Sequence, residues 1–252
     1  MRQAISVIPV AGIGEIEVGS SISSIILSAL ATQQLPLVHD DVIVITQKIV
    51  SKAEGRIVDP ATYEPSHVAK MAAAQGHKDA NYYEVVLQES KRIVKMDRGV
   101  LICETHHGLI CANAGVDESN VDGGRRITLL PVDPDKSARA IRDVVMQATG
   151  VRVSVIISDT FGRAWREGQI NVAIGVAGIS PLDSYAGIAD PYGYQMQASI
   201  LAIADEIAGA AELVMGKIDR VPVAVVRGVT YTSTDDASAQ QLIRPPNKDL
   251  FR

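Results

Sequence analysis

A carboxylate and a hydroxyl stand side by side directly after an apolar run, since Asp159 and Thr160 follow Val153–Ser158. The run is typical of a buried strand, so both side chains are expected at a strand end. Oxygen ligands of this kind suit a hard divalent cation that also binds phosphates. The guanidinium groups of Arg163 and Arg166 come next and could clamp phosphate or carboxylate oxygens. The alternative is an aspartate that caps a turn, with the arginines on a solvated face.

A second acidic cluster follows the apolar segment Leu109–Ala112. In it, Asp117 could supply another metal carboxylate, and the amide of Asn120 could read the edge of a base or sugar. The alternative is an Asx-type turn around Gly115.

Three cations lie within nine positions at the end of another hydrophobic run: Lys48, Lys52 and Arg56. Lys52 could meet a polyphosphate, and the other two would strengthen the local positive field. The alternative is a strand edge protected by lysines. Each segment alone is ambiguous, but carboxylates, an amide and cations together indicate one metal–nucleotide centre.

Common catalytic signatures do not fit this chain. Gly12–Gly14 lacks the third glycine of a dinucleotide fingerprint, and Met215–Lys217 is followed by Ile218 where a P-loop needs Ser or Thr. There is no G-x-S-x-G and no H-E-x-x-H motif, so serine-hydrolase and zinc-protease functions are excluded.

The two cysteines, Cys103 and Cys111, flank the turn-like segment Thr105–Gly108 of a predicted hairpin. They could lie opposite each other, and with the neighbouring histidines they raise the idea of a zinc site. The favoured alternative is a pair of buried small hydrophobes, because no C-x-x-C spacing is present.

Strands and helices must position these residues. Apolar runs predict a first strand near the N-terminus and further strands at Val42–Val50, Val100–Cys103, Leu109–Ala112, Val153–Ser158 and Pro222–Val226. Helical periodicity predicts helices at Val68–Gln75 (capped by Ser66 and ended by Gly76), from Asp79 through Val94, at Ala138–Ala148 (preceded by Ser137 and closed by Gly150) and at Gln197–Met215. Strands and helices without strict alternation favour an α+β fold.

The composition bounds the class of protein. The chain has 252 residues, a formal charge of −5 and 47% hydrophobic residues, which is ordinary for a globular protein. A mildly acidic chain has no basic field for nucleic acid, and no apolar run is long enough to span a membrane. The first ten residues do not form a secretory signal, so a cytoplasmic location is expected. Residues 1–252 are expected to form a single unit with two intimately connected subdomains.

Five segments carry a resemblance to a known family: Thr46–Arg56, Cys111–Val121, Ile157–Arg166, Val172–Gly178 and Pro222–Gly228. Together they resemble coenzyme F-420-0:gamma-glutamyl ligase, and the similarity runs in order from Val7 to about Gly228. The similarity is to the bacterial branch, in which a nitroreductase-like domain is often fused C-terminally; that domain has no counterpart in these 252 residues.

The resemblance implies a GTP-dependent amide ligase. Such an enzyme adds L-glutamate to the lactyl carboxylate of the deazaflavin F-420-0 through an acyl phosphate, and further glutamates by gamma linkage. It implies Mg²⁺ or Mn²⁺, with two ions expected and K⁺ as a further candidate, and an unusual two-subdomain α+β fold that forms an intertwined homodimer.

The resemblance also assigns residues. Asp117 and Asp159 would share one divalent ion, and Thr160 would help to hold a second. Guanine nucleotide contacts would come from Ile13, Gly14, Glu15, Ile16, Gln47, Lys52 and Asn120. Catalytic roles fall to Asp117 and Asp159, with Arg163 and Arg166 added from their residue types.

One position departs from the family pattern. Archaeal members tend to place a carboxylate just after the Met-Gly that ends the long helix, whereas this chain has Lys217. We expect Lys217 to contact phosphate or to face solvent at the helix C-terminus, and not to be a metal ligand.

Two other functions stay open, and so does the position of the ring pocket. The alternatives are a non-catalytic deazaflavin or nucleotide binder and a metal-dependent ligase for another carboxylate. Tyr185, Tyr192 and Tyr194 could stack on the deazaflavin ring, or they could pack into the core.

Overall fold

β-Branched and aliphatic residues form most of the strands in the computed structural model, which describes residues 4–118 and 125–249. The strands are β1 (Ser6–Pro9), β2 (Asp41–Thr46), β3 (Ile57–Val58), β4 (Ser90–Asp97), β5 (Val100–Thr105), β6 (Ile110–Ala112), β7 (Ile127–Thr128), β8 (Val153–Arg163), β9 (Arg166–Ala177), β10 (Asp183–Ser184), β11 (Ile200–Leu201) and β12 (Val223–Arg227). The helices are α1 (Ile22–Thr32), α2 (Gln47–Ala53), α3 (His67–Gln75), α4 (Ala80–Gln88), α5 (Pro134–Thr149) and α6 (Ile203–Met215). This mixture confirms the α+β class.

The main sheet has the strand order β1-β12-β2-β8-β9. Only β2 and β8 are parallel among its neighbouring pairs; the others are antiparallel. Helices α1 and α5 cover one face of the sheet and α6 covers the other, and each face has its own aliphatic core. The central strands are apolar on both sides because both faces are buried.

The smaller sheet β4-β5-β6 packs with α3 and α4 around a third core, which includes Tyr82 and Tyr83. Cys103 and Cys111 lie opposite each other on β5 and β6, as predicted. Burial, followed by the charges of Asp159 and Cys103, raises the pKa of Cys111 to about 12. These buried thiols therefore behave as small hydrophobes.

The strand predicted at Val42–Val50 and the helix predicted from Asp79 through Val94 both extend too far. The apolar run Val42–Val50 is a strand only to Thr46, where α2 begins. The helix predicted from Asp79 through Val94 ends at Gln88 and is followed by β4. For Val42–Val50, periodicity could not separate a buried strand from a buried helix because the whole run is apolar.

Helix ends follow their capping residues. The Ser66 hydroxyl caps α3 by accepting from the Ala69 N–H, as predicted. Helix α5 begins at Pro134, earlier than predicted, because Asp133 is the N-cap and Pro occupies the first turn. Helix α6 begins at Ile203, and not at Gln197, because β11 precedes it. Among the described residues, no helix is both long and apolar enough to cross a membrane.

Candidate active site

The parallel pair of strands fixes the position of the site. Thr46, the last residue of β2, pairs with Ser158 of β8. From this point β2 turns into α2, while β8 continues to Arg163 as a hairpin with β9. Because the carboxyl ends of parallel strands meet at one edge of a sheet, the first turn of α2 lies beside Asp159.

Asp117 and Asp159 form the acidic half of the site. The backbone of Asp117 is held by two backbone hydrogen bonds to Thr128 and by a third from the Thr128 hydroxyl, and its Oδ2 lies 2.8 Å from Lys48 Nζ. Burial raises the pKa of Asp159 to about 6; the Asp117 charge also raises it, while the Thr160 N–H, Lys48 and Lys217 lower it. The structure therefore brings together the two carboxylates that the sequence predicted.

Thr160 takes part in a hydrogen-bonded ring on the α6 side of β8. Its hydroxyl donates to Asn171 Oδ1 of β9 at 2.7 Å, and Asn171 Nδ2 donates to Glu212 Oε2 of α6 at 2.7 Å. Lys217 Nζ closes the ring by donating to Thr160 Oγ1 and pairing with Glu212 Oε1 at 3.0 Å. Successive strand residues face opposite sides of a sheet. Asp159 therefore lies near Asp117, whereas Thr160 lies near Glu212 of α6.

The predicted nucleotide loop is exposed only in part. The side chains of Ile13 and Ile16 are buried in the core between the sheet and α1, so a ligand could reach only their backbone. Gly14 and Glu15 are exposed, and Glu15 pairs with Lys52. The loop and the basic helix α2 are thus adjacent.

Two further predicted nucleotide residues have different outcomes. Gln47, at the first position of α2, is buried and accepts a hydrogen bond from Ser51 Oγ at 2.7 Å. Asn120 lies outside the described residues.

The two predicted arginines lie farther away. Arg163 and Arg166 face each other at the tip of the β8–β9 hairpin. Arg163 lies four residues after Asp159 on the same strand, which corresponds to about 13 Å along the strand. The structure therefore does not bring these guanidinium groups to the two carboxylates, because β8 continues past Ser158, where the sequence predicted a loop.

An apolar cavity of about 400 Å³ borders the same hairpin. Phe161 and Val172 line it, together with the carboxylate of Asp205 and with Arg244. Burial raises the pKa of Asp205, and its Oδ1 accepts the Ala173 N–H at 2.8 Å. Sequence reasoning did not find this cavity, because its lining comes from distant segments.

The predicted ring-stacking tyrosines differ in exposure. Tyr192 and Tyr194 are 96% and 64% exposed, so packing into the core is wrong for both. Tyr185 is partly buried. Their stacking on a deazaflavin stays a prediction.

The donor set fits one of the two divalent ions that the resemblance implies. Asp117 and Asp159 are hard oxygen donors; burial raises the pKa of Asp159, the Asp117 charge adds to that rise, and a cation between the two carboxylates would offset both effects. Waters and phosphates commonly complete such a shell around Mg²⁺. In the part of the chain that the structure describes, no three His, Cys, Asp or Glu side chains gather at one point. The second position does not fit, since the Lys217 ammonium is bonded to Thr160.

Asn171 and Glu212 were not predicted from the sequence. Asn171 is a buried polar residue at the start of the apolar run of β9, and that conflict was the available signal. Glu212 lies on α6, 41 positions away, so no sequence spacing connects the two.

Comparison with known proteins identifies the family. The model of the F420-0:gamma-glutamyl ligase family matches residues 12–228, which contain the described site from Ile13 to Lys217. This chain belongs to the F420-0:gamma-glutamyl ligase family. The resemblance noted in the sequence is thereby confirmed.

Individual relatives align with most of the length of this chain. The coenzyme F420:L-glutamate ligase of Methanothermobacter thermautotrophicus is 44% identical over 98% of this chain and 99% of its own length. The protein of that name from Methanocaldococcus jannaschii is 42% identical over 87% of each chain. The one from Archaeoglobus fulgidus is 36% identical over 98% and 96%. Assignment to the bacterial branch stays a prediction.

Proposed function

We propose that this chain is a GTP-dependent ligase that adds L-glutamate to the lactyl carboxylate of coenzyme F420-0. The observation that carries the proposal is that Asp117 and Lys48 lie beside Asp159, at the point where the parallel pairing of β2 and β8 ends, with Lys52 one helical turn after Lys48. The family match and the names of the relatives support this substrate class. The nucleotide and the intermediate rest on the resemblance and on the chemistry of the site.

The reaction needs an activated carboxylate, because a free carboxylate is a poor acyl donor. A carboxylate oxygen attacks the γ-phosphorus of GTP, and the bond from that phosphorus to its bridging oxygen breaks, which releases GDP and leaves an acyl phosphate. The amine of glutamate then attacks the acyl carbon, loses a proton and expels phosphate. Such phosphoryl transfer depends mainly on positioning and charge neutralisation.

The side chains of this protein supply both the positioning and the charge neutralisation. Lys52 and Lys48 place two cations in α2, which begins where the pairing of β2 with β8 ends, beside Asp159. Asp117 and Asp159 would hold one Mg²⁺ or Mn²⁺, which when bound neutralises phosphate oxygens. K⁺ is a further candidate, implied by the resemblance alone.

The cavity beside Asp159 is our proposed pocket for the deazaflavin. Its volume, about 400 Å³, lies in the range of small-molecule pockets, and Phe161 offers an aromatic surface. Phe161 is two residues after Asp159, so an acceptor there would have its carboxylate near the acidic pair. Phe161→Ala is expected to raise the KM for F420-0 with little change in the KM for GTP.

The test is a product assay with mass spectrometry. The protein is incubated with GTP, MgCl₂ or MnCl₂, L-glutamate and F420-0, and the product should gain one glutamyl residue. Asp117→Asn should lose turnover by orders of magnitude. Asp143→Asn, an exposed carboxylate on α5, is the matched control and should keep turnover.

The possible results separate the functions. Absence of product from the folded wild type, with deazaflavin or GTP still bound, would contradict catalysis and favour a binding module. Product from a different carboxylate alone would favour another ligase. The homodimer is a separate proposal, and light scattering after gel filtration should give twice the mass of 26.9 kDa.

A further inference from the structure

Lys217 lies in a ring of polar groups drawn from separate parts of the fold. Thr160 donates its only hydroxyl hydrogen to Asn171, so the Thr160 oxygen has lone pairs left and accepts from the Lys217 ammonium. Glu212 accepts from Asn171 through one oxygen and pairs with Lys217 through the other. The ammonium is therefore bound by one hydroxyl and one carboxylate.

We propose that the Lys217 ammonium is the built-in second cation of this site, so that the chain binds one divalent ion, at Asp117 and Asp159. Its catalytic meaning rests on the proposed function, in which charge on a transferred phosphate must be neutralised. The same Thr160 oxygen that the resemblance gives to a second divalent ion is bonded to Lys217.

An ammonium and a divalent ion compete for this position. Both are satisfied by hydroxyl and carboxylate oxygens, and Glu212 with Thr160 would offer such a pair to a metal. Placing a doubly charged ion beside the ammonium is strongly unfavourable, because the two positive charges repel each other. One cation therefore excludes the other.

The chain geometry aims Lys217 at the ring. Gly216 ends α6 with φ +60, and an added Cβ would lie 2.3 Å from Asp219 Oδ2, so the turn requires glycine. A cation at a helix C-terminus is favourable by itself. That effect does not account for the bond to Thr160, which lies on β8 and 57 positions away in sequence.

The Lys217 ammonium can still donate a hydrogen bond to a ligand. It has three N–H donors, of which Thr160 and Glu212 use two among the described residues, and the side chain is 58% exposed. One donor is left for an anionic oxygen such as a phosphate. Lys217 thus replaces the charge of a second metal ion while staying attached to the protein.

The experiment counts Mn²⁺ ions bound to the full chain, with Mn²⁺ alone as the probe. Free Mn²⁺ is measured by electron paramagnetic resonance during titration, without nucleotide. The wild type should bind one ion per chain. Lys217→Glu should bind two, because it removes the ammonium and adds a carboxylate beside Thr160 and Glu212.

Two controls define the site. Lys70→Glu makes the same charge change on the exposed side of α3 and should still bind one ion. Asp117→Asn should remove the ion of the wild type, and in the Lys217→Glu background it should leave one. Lys217→Gln, which only removes the charge, should gain a weaker second ion and serves if Lys217→Glu does not fold.

The outcomes are decisive for Lys217. Two ions in the wild type, or a folded Lys217→Glu and Lys217→Gln that both bind only one, would overturn the proposal. Ion counting needs neither GTP nor F420-0, so a wild type that binds one ion but makes no glutamylated product would contradict the proposed function alone.

Discussion

Asp159→Asn is expected to stabilise the metal-free protein above about pH 6 while it abolishes ligation. The rise of the Asp159 pKa from 3.8 to about 6 corresponds to about 3 kcal/mol, since one pKa unit is worth about 1.4 kcal/mol. Burial is the main cause, and the Asp117 charge adds to it. Asparagine keeps the shape and carries no charge, so it removes this cost.

The sign of the pH dependence follows from the two protonation states. In the unfolded chain Asp159 loses its proton near pH 3.8, and in the folded chain only near pH 6. Between these values the folded state binds more protons, so its stability falls as pH rises. Below the window both states are protonated and the cost is absent; above it the cost is complete.

The gain in the free energy of unfolding should be smaller than the full electrostatic cost, because asparagine accepts a weaker hydrogen bond from the Thr160 N–H than a carboxylate does. We therefore expect a gain of about 1–3 kcal/mol near pH 8. For a chain of this length that gain raises Tm by about 2–10 °C.

Thermal unfolding with EDTA, followed by circular dichroism at about pH 8, 5 and 4, measures the effect. The gain of Asp159→Asn should be largest at about pH 8 and nearly vanish at about pH 4. Added Mn²⁺ should stabilise the wild type and not the variant, because only the native wild type binds it. Asp143→Asn should show no such pattern. A variant no more stable than wild type at pH 8 without metal would refute the reasoning.

Three other expectations concern the nucleotide and the framework. GTP should support turnover much better than ATP, as the resemblance implies, and equal rates in the product assay would contradict this. Asp41 is fully buried and accepts two hydrogen bonds of 2.8 Å from Arg227. Asp41→Ala should therefore lower the free energy of unfolding by about 3 kcal/mol, because the charge of Arg227 loses its partner. An unchanged midpoint in urea unfolding would show that water replaces the carboxylate. Gly175→Ala should cost about 1–3 kcal/mol because its Cβ would lie 2.5 Å from the backbone of Pro134. In the control Gly162→Ala the added Cβ meets no atom of the described residues within 4 Å, so stability should change little, and equal melting temperatures for the two variants would contradict the packing argument.

The sequence predicted elements best where local chemistry decides them. Ser66 caps α3 and Gly150 closes α5, because capping depends on residues within one turn. The switch from β2 to α2 could not be predicted, since Val42–Val50 is apolar throughout and both elements are buried. Tertiary packing decides such a run.

The same distinction applies to the site. That Asp117 and Asp159 lie close together was predictable, because each follows an apolar run and such runs can bring polar residues to one edge of a sheet; their role as metal ligands stays a prediction. Asn171 and Glu212 could not be predicted, because they are connected only by a hydrogen bond between β9 and α6, 41 positions apart in sequence. A buried amide in an apolar strand is still a usable signal, since burying it without partners would cost free energy.

The site depends on one parallel pair in a main sheet that is otherwise antiparallel. Pairing of Thr46 with Ser158 sets how far β8 extends past β2, and it thereby places Asp159 on the side of Asp117 and Thr160 on the side of α6. A slip of one residue would exchange these two faces. The carboxylate would then meet Glu212, and the hydroxyl would meet Asp117. The separation of the acidic pair, Asp117 and Asp159, from the hydrogen-bonded ring that contains Lys217 therefore follows from strand register, which the buried residues of β2 and β8 fix.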